Sequence, residues 1–125
     1  MIQHAAHWKV TPSATTDPIY DQVASGAAQA SALLERAEGL IERRAALMAK
    51  SRQTSWDGPG LLLVIDEAQE LMADPVYGER IKTSVEQLLR EGQRLGVDLT
   101  TAPSDNEKPR LVLQTPVAGL GDQTT

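Results

Sequence analysis

Apolar and polar positions along the chain fall into distinct patterns, and the sharpest is an unbroken aliphatic run, Leu61-Leu62-Leu63-Val64-Ile65, set between Gly58-Pro59-Gly60 and Asp66-Glu67. Such a run, bounded by turn residues, suits a strand covered on both faces, as in the middle of a parallel sheet flanked by helices. Upstream, Val23, Ala27, Ala30, Leu33, Leu34, Ala37, Leu40, Ile41, Leu47 and Met48 recur mostly in steps of three and four. That spacing predicts one long amphipathic helix ending near Lys50. Glu35, Arg36, Glu38, Glu42 and Arg43 then read as its solvated outer face, with the like-charged one-turn neighbours Glu35, Glu38 and Glu42 mildly unfavourable.

Beyond the run, Ala68 to Ala73 predicts a short helix that Asp74-Pro75 breaks. Ile81, Val85, Leu88, Leu89 and Leu95 space a second amphipathic helix, which Gly96 can end as a left-handed cap. Val97 to Ala102 and Arg110 to Gln114 read as short strands joined by the polar segment Pro103 to Pro109. At the other end, Pro12, Pro18 and the run Thr-Pro-Ser-Ala-Thr-Thr-Asp-Pro argue against a helix. Residues 1–21 are expected to be a loop or loose arm, 22–116 the folded body and 117–125 a polar tail.

Composition narrows the function classes. At 125 residues the chain suits one domain and one core. A net charge of -5 disfavours bulk electrostatic binding of DNA or an anionic membrane. The chain has no cysteine, which removes disulfides, thiol catalysis and thiolate metal sites, and its two histidines, His4 and His7, lie near an N-terminus expected to be mobile. No run approaches the length of a membrane span and no signal peptide is read, so a cytoplasmic setting is the expectation. Aromatic residues make up 3% of the chain, with no Phe, so no stacking platform for single-stranded nucleic acid is present. Trp8 and Trp56 are expected to pack on either side of the long helix.

The chemistry concentrates at Asp66 and Glu67. Side chains shown at the carboxyl end of a parallel strand face the crevice where α/β proteins collect ligands. Two adjacent acids there suit a hydrated magnesium ion and its neighbouring water: one carboxylate holds the metal shell, and the other, turned away by the strand's period of two, orients or deprotonates the water. This is the Walker B arrangement of a nucleotide hydrolase. The competing structural reading is that helix starts favour Asp and Glu because free amides and the macrodipole attract anions. No Gly-x-x-x-x-Gly-Lys-Ser/Thr occurs, and Gly58-Pro59-Gly60 lacks the lysine and helix start of a phosphate cradle. The chain alone is therefore expected to bind ATP poorly and not to hydrolyse it.

Three segments in order, Glu42-Arg43-Arg44-Ala45-Ala46-Leu47-Met48-Ala49, Leu62-Leu63-Val64-Ile65-Asp66-Glu67-Ala68-Gln69-Glu70-Leu71-Met72 and Arg90-Glu91-Gly92-Gln93-Arg94-Leu95-Gly96-Val97, resemble the motor domain of FtsK/SpoIIIE-type DNA translocases, especially plasmid-transfer forms. The resemblance covers about residues 30 to 104. It implies a partial RecA-like P-loop NTPase of α/β class, a short parallel sheet flanked by helices with a long N-terminal amphipathic helix. It also implies ATP and Mg2+ as cofactors, a homohexameric ring as the working state and double-stranded DNA as the partner. Asp66 would be the magnesium-associated acid and Glu67 the base for water. Gln114, in Leu113-Gln114-Thr115-Pro116, is one candidate for the sensor of the terminal phosphate; Thr101-Ala102-Pro103-Ser104 is a competing placement that lacks the glutamine. Arg94, one residue removed from the family's Gly-Arg pair, is the candidate trans-acting arginine. Arg43 and Arg44 match a family feature but read as packing or surface charge, and Lys108 and Arg110 are the local candidates for a DNA phosphate contact.

These features together imply a fragment of an ATP-driven double-stranded DNA translocase, of chromosome-segregation or plasmid-transfer type, inactive by itself. Its parent could be membrane-tethered through a segment outside this chain. Strands missing beside Leu61 to Ile65 would leave that fragment marginally stable. Alternatives are another P-loop ATPase fragment, of transposition or helicase type, and a non-enzymatic α-helical interaction module.

Overall fold

The run Leu61–Ile65 is a strand, and an inner one. In the computed structural model, which describes residues 4–102, it belongs to β3 (Gly60–Asp66) of a four-stranded sheet. β1 (His4–Thr11) and β2 (Gln22–Ser25) precede it and β4 (Val97–Ala102) follows. The order across the sheet is β2-β1-β3-β4, with every neighbouring pair parallel.

Two expectations are corrected by this arrangement. Residues 1–21 are not a loose arm, because their first half forms β1, paired with both β2 and β3. His7 is held in that strand, its N–H donating to the Asp21 carboxylate at 2.8 Å. Nor does β3 lack neighbours, since β1 and β4 cover both of its edges. The overlooked signal is a strict alternation within β1: Ala6, Trp8 and Val10 share one face, and His7, Lys9 and Thr11 the other. Pro12 then closes the strand while holding Thr11 in the extended region.

The helices are α1 (Ala27–Ser51), α2 (Ala68–Met72) and α3 (Gly78–Glu91), with a 3-10 turn over Gln93–Leu95. α1 runs 25 residues, but two strands precede it, so it is not an N-terminal element. Val23, which shares the helical spacing with Ala27, belongs instead to β2. Gly26 separates the two elements at φ 91° and ψ 159°, a conformation essentially reserved for glycine. Ala30, Leu33, Leu34, Ala37, Ile41 and Met48 of α1 are buried, as are Ile81, Val85 and Leu88 of α3. Gly96 adopts the predicted left-handed cap (φ 80°), ending the 3-10 turn just before β4.

Register decides which strand residues join this core. Val10 pairs with Ile65 and Trp8 with Leu63, while Leu63 pairs with Leu99. Ala6, Trp8, Val10, Leu61, Leu63, Ile65, Val97 and Leu99 therefore share one face, and all of them belong to or pack against the core that α1 and α3 contribute to. Leu61, Leu63 and Ile65 are at most 1% exposed, each burial worth about 1.5–3 kcal/mol relative to an exposed side chain. His7, Lys9, Leu62, Val64 and Asp66 point to the opposite face. There Lys9 meets Asp17 at 3.8 Å and the Tyr20 ring at 5.5 Å, so the β1–β2 connection crosses that side. α1 and α3 thus pack on the face of Leu61, Leu63 and Ile65, and on the other face Val64 is only 7% exposed.

Handedness explains the division. β1 to β2 steps one way across the sheet; β2 to β3 steps back over β1. Right-handed crossovers in opposite directions must lie on opposite faces. The four-stranded parallel sheet also removes the reading of the chain as an all-helical interaction module.

Arg44 and the two tryptophans secure α1. Arg44 donates to the carbonyls of Leu95 (2.8 Å), Gly96 (3.2 Å) and Pro59 (3.0 Å) and lies 4.5 Å from the centroid of the Trp56 ring. Arg36 covers Trp8 at 5.3 Å. Trp8 and Trp56 thus pack against α1 at separate points, as expected, whereas Arg36 and Glu35, which pairs with Arg80 of α3, are not merely solvated.

Candidate functional site at the carboxyl edge of the sheet

From the end of β1 the chain leaves toward β2, and from the end of β3 it leaves toward β4. The carboxyl ends of β1 and β3 are neighbours from which the chain diverges, which defines a topological switch point, the place where open α/β sheets bind ligands. Thr11 and Asp66 are the residues there. Thr11 is 1% exposed and its Oγ1 donates to Asp66 Oδ2 at 3.4 Å. Asp66 is half-buried, and among the described residues no lysine or arginine pairs with it.

The elements around this point are tied together through the backbone. Gly26 N–H donates to the Thr11 carbonyl at 2.7 Å, linking the start of α1 to the end of β1. Ser13 N–H donates to Thr11 Oγ1 at 3.3 Å, and Ser25 N–H to Gln29 Oε1 at 2.9 Å.

Glu67 follows Asp66 in the left-handed region, at φ 54° and ψ 55°. Its carbonyl accepts from Glu70 N–H (3.0 Å) and Leu71 N–H (3.3 Å), opening α2, while Ala68 and Leu71 anchor that helix in the core. A non-glycine residue here costs about 1–2 kcal/mol. Such strain persists where the surroundings over-determine the backbone, and it clusters at functional turns.

The other sequence candidates fall elsewhere. Gln114, Lys108 and Arg110 lie outside the described residues. On the side of β3 away from β1 the neighbour is β4, in which Thr101 pairs with Ile65 and Ala102 with Asp66. Arg94 is exposed in the turn before β4, at the amino end of the strands. The length of β3, roughly 20 Å, separates it from Asp66, so it does not belong to this chain's own site. Thr11 was missed by the sequence reading, although it ends the alternation in β1 and directly precedes a proline.

Among the described residues no three His, Asp or Glu side chains gather into a metal cluster. The Asp66 carboxylate is a hard oxygen donor. It suits magnesium, which keeps several waters and is bound through one or two carboxylates plus substrate phosphates, rather than a metal needing a full protein cage. No described helix is long and apolar enough to cross a membrane.

Fold and edge geometry define a parallel α/β architecture with a switch point at the carboxyl edge of its sheet. No protein-family model matches the chain, and no curated protein does. Among solved structures it is similar to the pCW3 conjugation coupling protein TcpA, monomer form with ATPγS, with a TM-score of 0.65 and 19% identity. The match covers 78% of this chain and 34% of that one, so the chain spans about a third of its structural neighbour.

Proposed function

We propose that the chain is part of an ATP-driven motor of the double-stranded DNA translocase type. In this reading Asp66 holds the hydrated magnesium of a bound nucleotide, Glu67 orients or deprotonates the attacking water, and polypeptide outside these residues supplies the phosphate loop. The observation that carries it is the placement of Asp66, half-buried and lacking a cationic partner among the described residues, at the switch point of a parallel sheet. Similarity of fold to a conjugation coupling protein solved with ATPγS supports the nucleotide and the transfer of DNA as the work done. A homohexameric ring around the duplex, with Arg94 or another arginine acting across subunits, completes the proposal.

Within the site, each side chain has a task its chemistry allows. The Asp66 carboxylate binds through oxygen at the end of a rigid inner strand. Glu67 begins a new helix, so its carboxylate is displaced from that of Asp66. A bound magnesium ion would neutralise charge on the phosphate oxygens.

The test is reconstitution. The chain is mixed with, or fused behind, a segment carrying Gly-x-x-x-x-Gly-Lys-Ser/Thr from an FtsK/SpoIIIE-type motor, and Mg-ATP turnover is measured. Turnover is expected only in the reconstituted protein, with Glu67→Gln abolishing it while sparing nucleotide binding. Hydrolysis by the chain alone, or full activity in the reconstituted Glu67→Gln variant, overturns the reading.

A further inference from the structure

We propose that Thr11 is the positioning residue of the Asp66 carboxylate, selecting the side-chain conformer that meets a divalent cation. The cation rests on the reading above; the positioning does not.

The argument begins with burial. Thr11 is 1% exposed, and a buried hydroxyl needs hydrogen-bond partners. Ser13 N–H occupies one lone pair at 3.3 Å, so the proton is directed to Asp66 Oδ2 at 3.4 Å. The oxygen that carries the proton is itself fixed. Gly26 N–H holds the Thr11 carbonyl at 2.7 Å, pairing with Val64 and Ile65 partners holds the strand just before it, and Pro12 restricts its backbone. As a β-branched residue Thr11 also has restricted χ1 freedom.

Asp66 has the opposite character. Its backbone is locked in β3, but a half-buried aspartate with no cationic partner among the described residues can turn about χ1 and χ2. Among the described residues the Thr11 hydroxyl is its only side-chain hydrogen-bond donor. That bond engages Oδ2 and leaves Oδ1 for a cation or its water. Partners of this kind behind a metal-binding carboxylate are worth about 10- to 100-fold in metal affinity, and the length of the bond places Thr11 at the lower end.

Two variants of the 125-residue chain test the idea. Thr11→Val keeps the shape and removes the hydroxyl; Thr11→Ser keeps the hydroxyl. The first readout is the Asp66 side-chain conformer, from three-bond N–Cγ and C′–Cγ couplings. A single conformer is expected in the wild type and Thr11→Ser, and an averaged one in Thr11→Val. The second readout is Mn2+ affinity, from paramagnetic broadening of amides around residue 66, which should fall about tenfold in Thr11→Val and recover in Thr11→Ser. An unchanged conformer in Thr11→Val overturns the proposal, including the case where Mn2+ binding weakens, since Thr11 would then be a direct ligand. Loss of the single conformer with no Mn2+ binding to any variant supports the positioning role and removes magnesium from the proposed function instead.

Discussion

The Arg44 guanidinium lies 4.5 Å from the centroid of the Trp56 ring while donating to three backbone carbonyls, those of Pro59, Leu95 and Gly96. One side chain of α1 thereby ties together the entrances of β3 and β4. Burial lowers its pKa from the ordinary guanidinium value, yet the carbonyl acceptors and the ring face suit a charged, planar fork. Lysine has neither the plane nor the fork. Arg44→Lys should therefore destabilise the fold by about 2 kcal/mol, seen as a lower urea midpoint with Trp56 fluorescence reporting the loss of stacking.

Deletion of residues 1–11 should abolish cooperative folding. β1 lies between β2 and β3, so its removal strips the ladder from one edge of β3 and exposes the core around Leu63 and Ile65. Loss of the thermal transition by circular dichroism is the expected result; a truncated chain with a native-like melt would contradict the inner position of β1.

Glu38 makes a pH dependence. Burial raises its pKa above the ordinary glutamate value, and the negative charges of Glu35 and Glu42 add to the shift, while the Ser84 hydroxyl and Arg80 oppose it. An acid whose folded pKa is raised binds more protons folded than unfolded. Its contribution is most favourable below the unfolded value, about 4.3, and is lost as pH rises through the folded value. Glu38→Gln should raise the melting temperature at neutral pH, with the advantage over wild type shrinking as pH falls toward the unfolded value. Melts across that range check the sign.

Glu67→Gly should stabilise the chain by up to about 1 kcal/mol, because glycine accepts φ 54° without the Cβ clash that Glu67 bears. The same change removes the proposed base. Denaturant titration of the chain, paired with turnover in the reconstituted protein, should show stability rising while activity disappears.

What the sequence by itself determined are features that depend on neighbours along the chain. The aliphatic run of β3, the i, i+3, i+4 stripes of α1 and α3 and the left-handed turn at Gly96 each reflect local backbone preference or one-element periodicity. The Asp66-Glu67 pair at the end of an apolar strand was legible for the same reason. The tertiary structure alone decided the rest. It paired β1 with β3, put α1 on one face and the β1–β2 connection on the other, and brought Thr11 against Asp66, 55 positions apart in the chain. Strand order and register arise from hydrogen bonds and side-chain burial between distant segments. No local pattern encodes which hydroxyl will stand beside a given carboxylate.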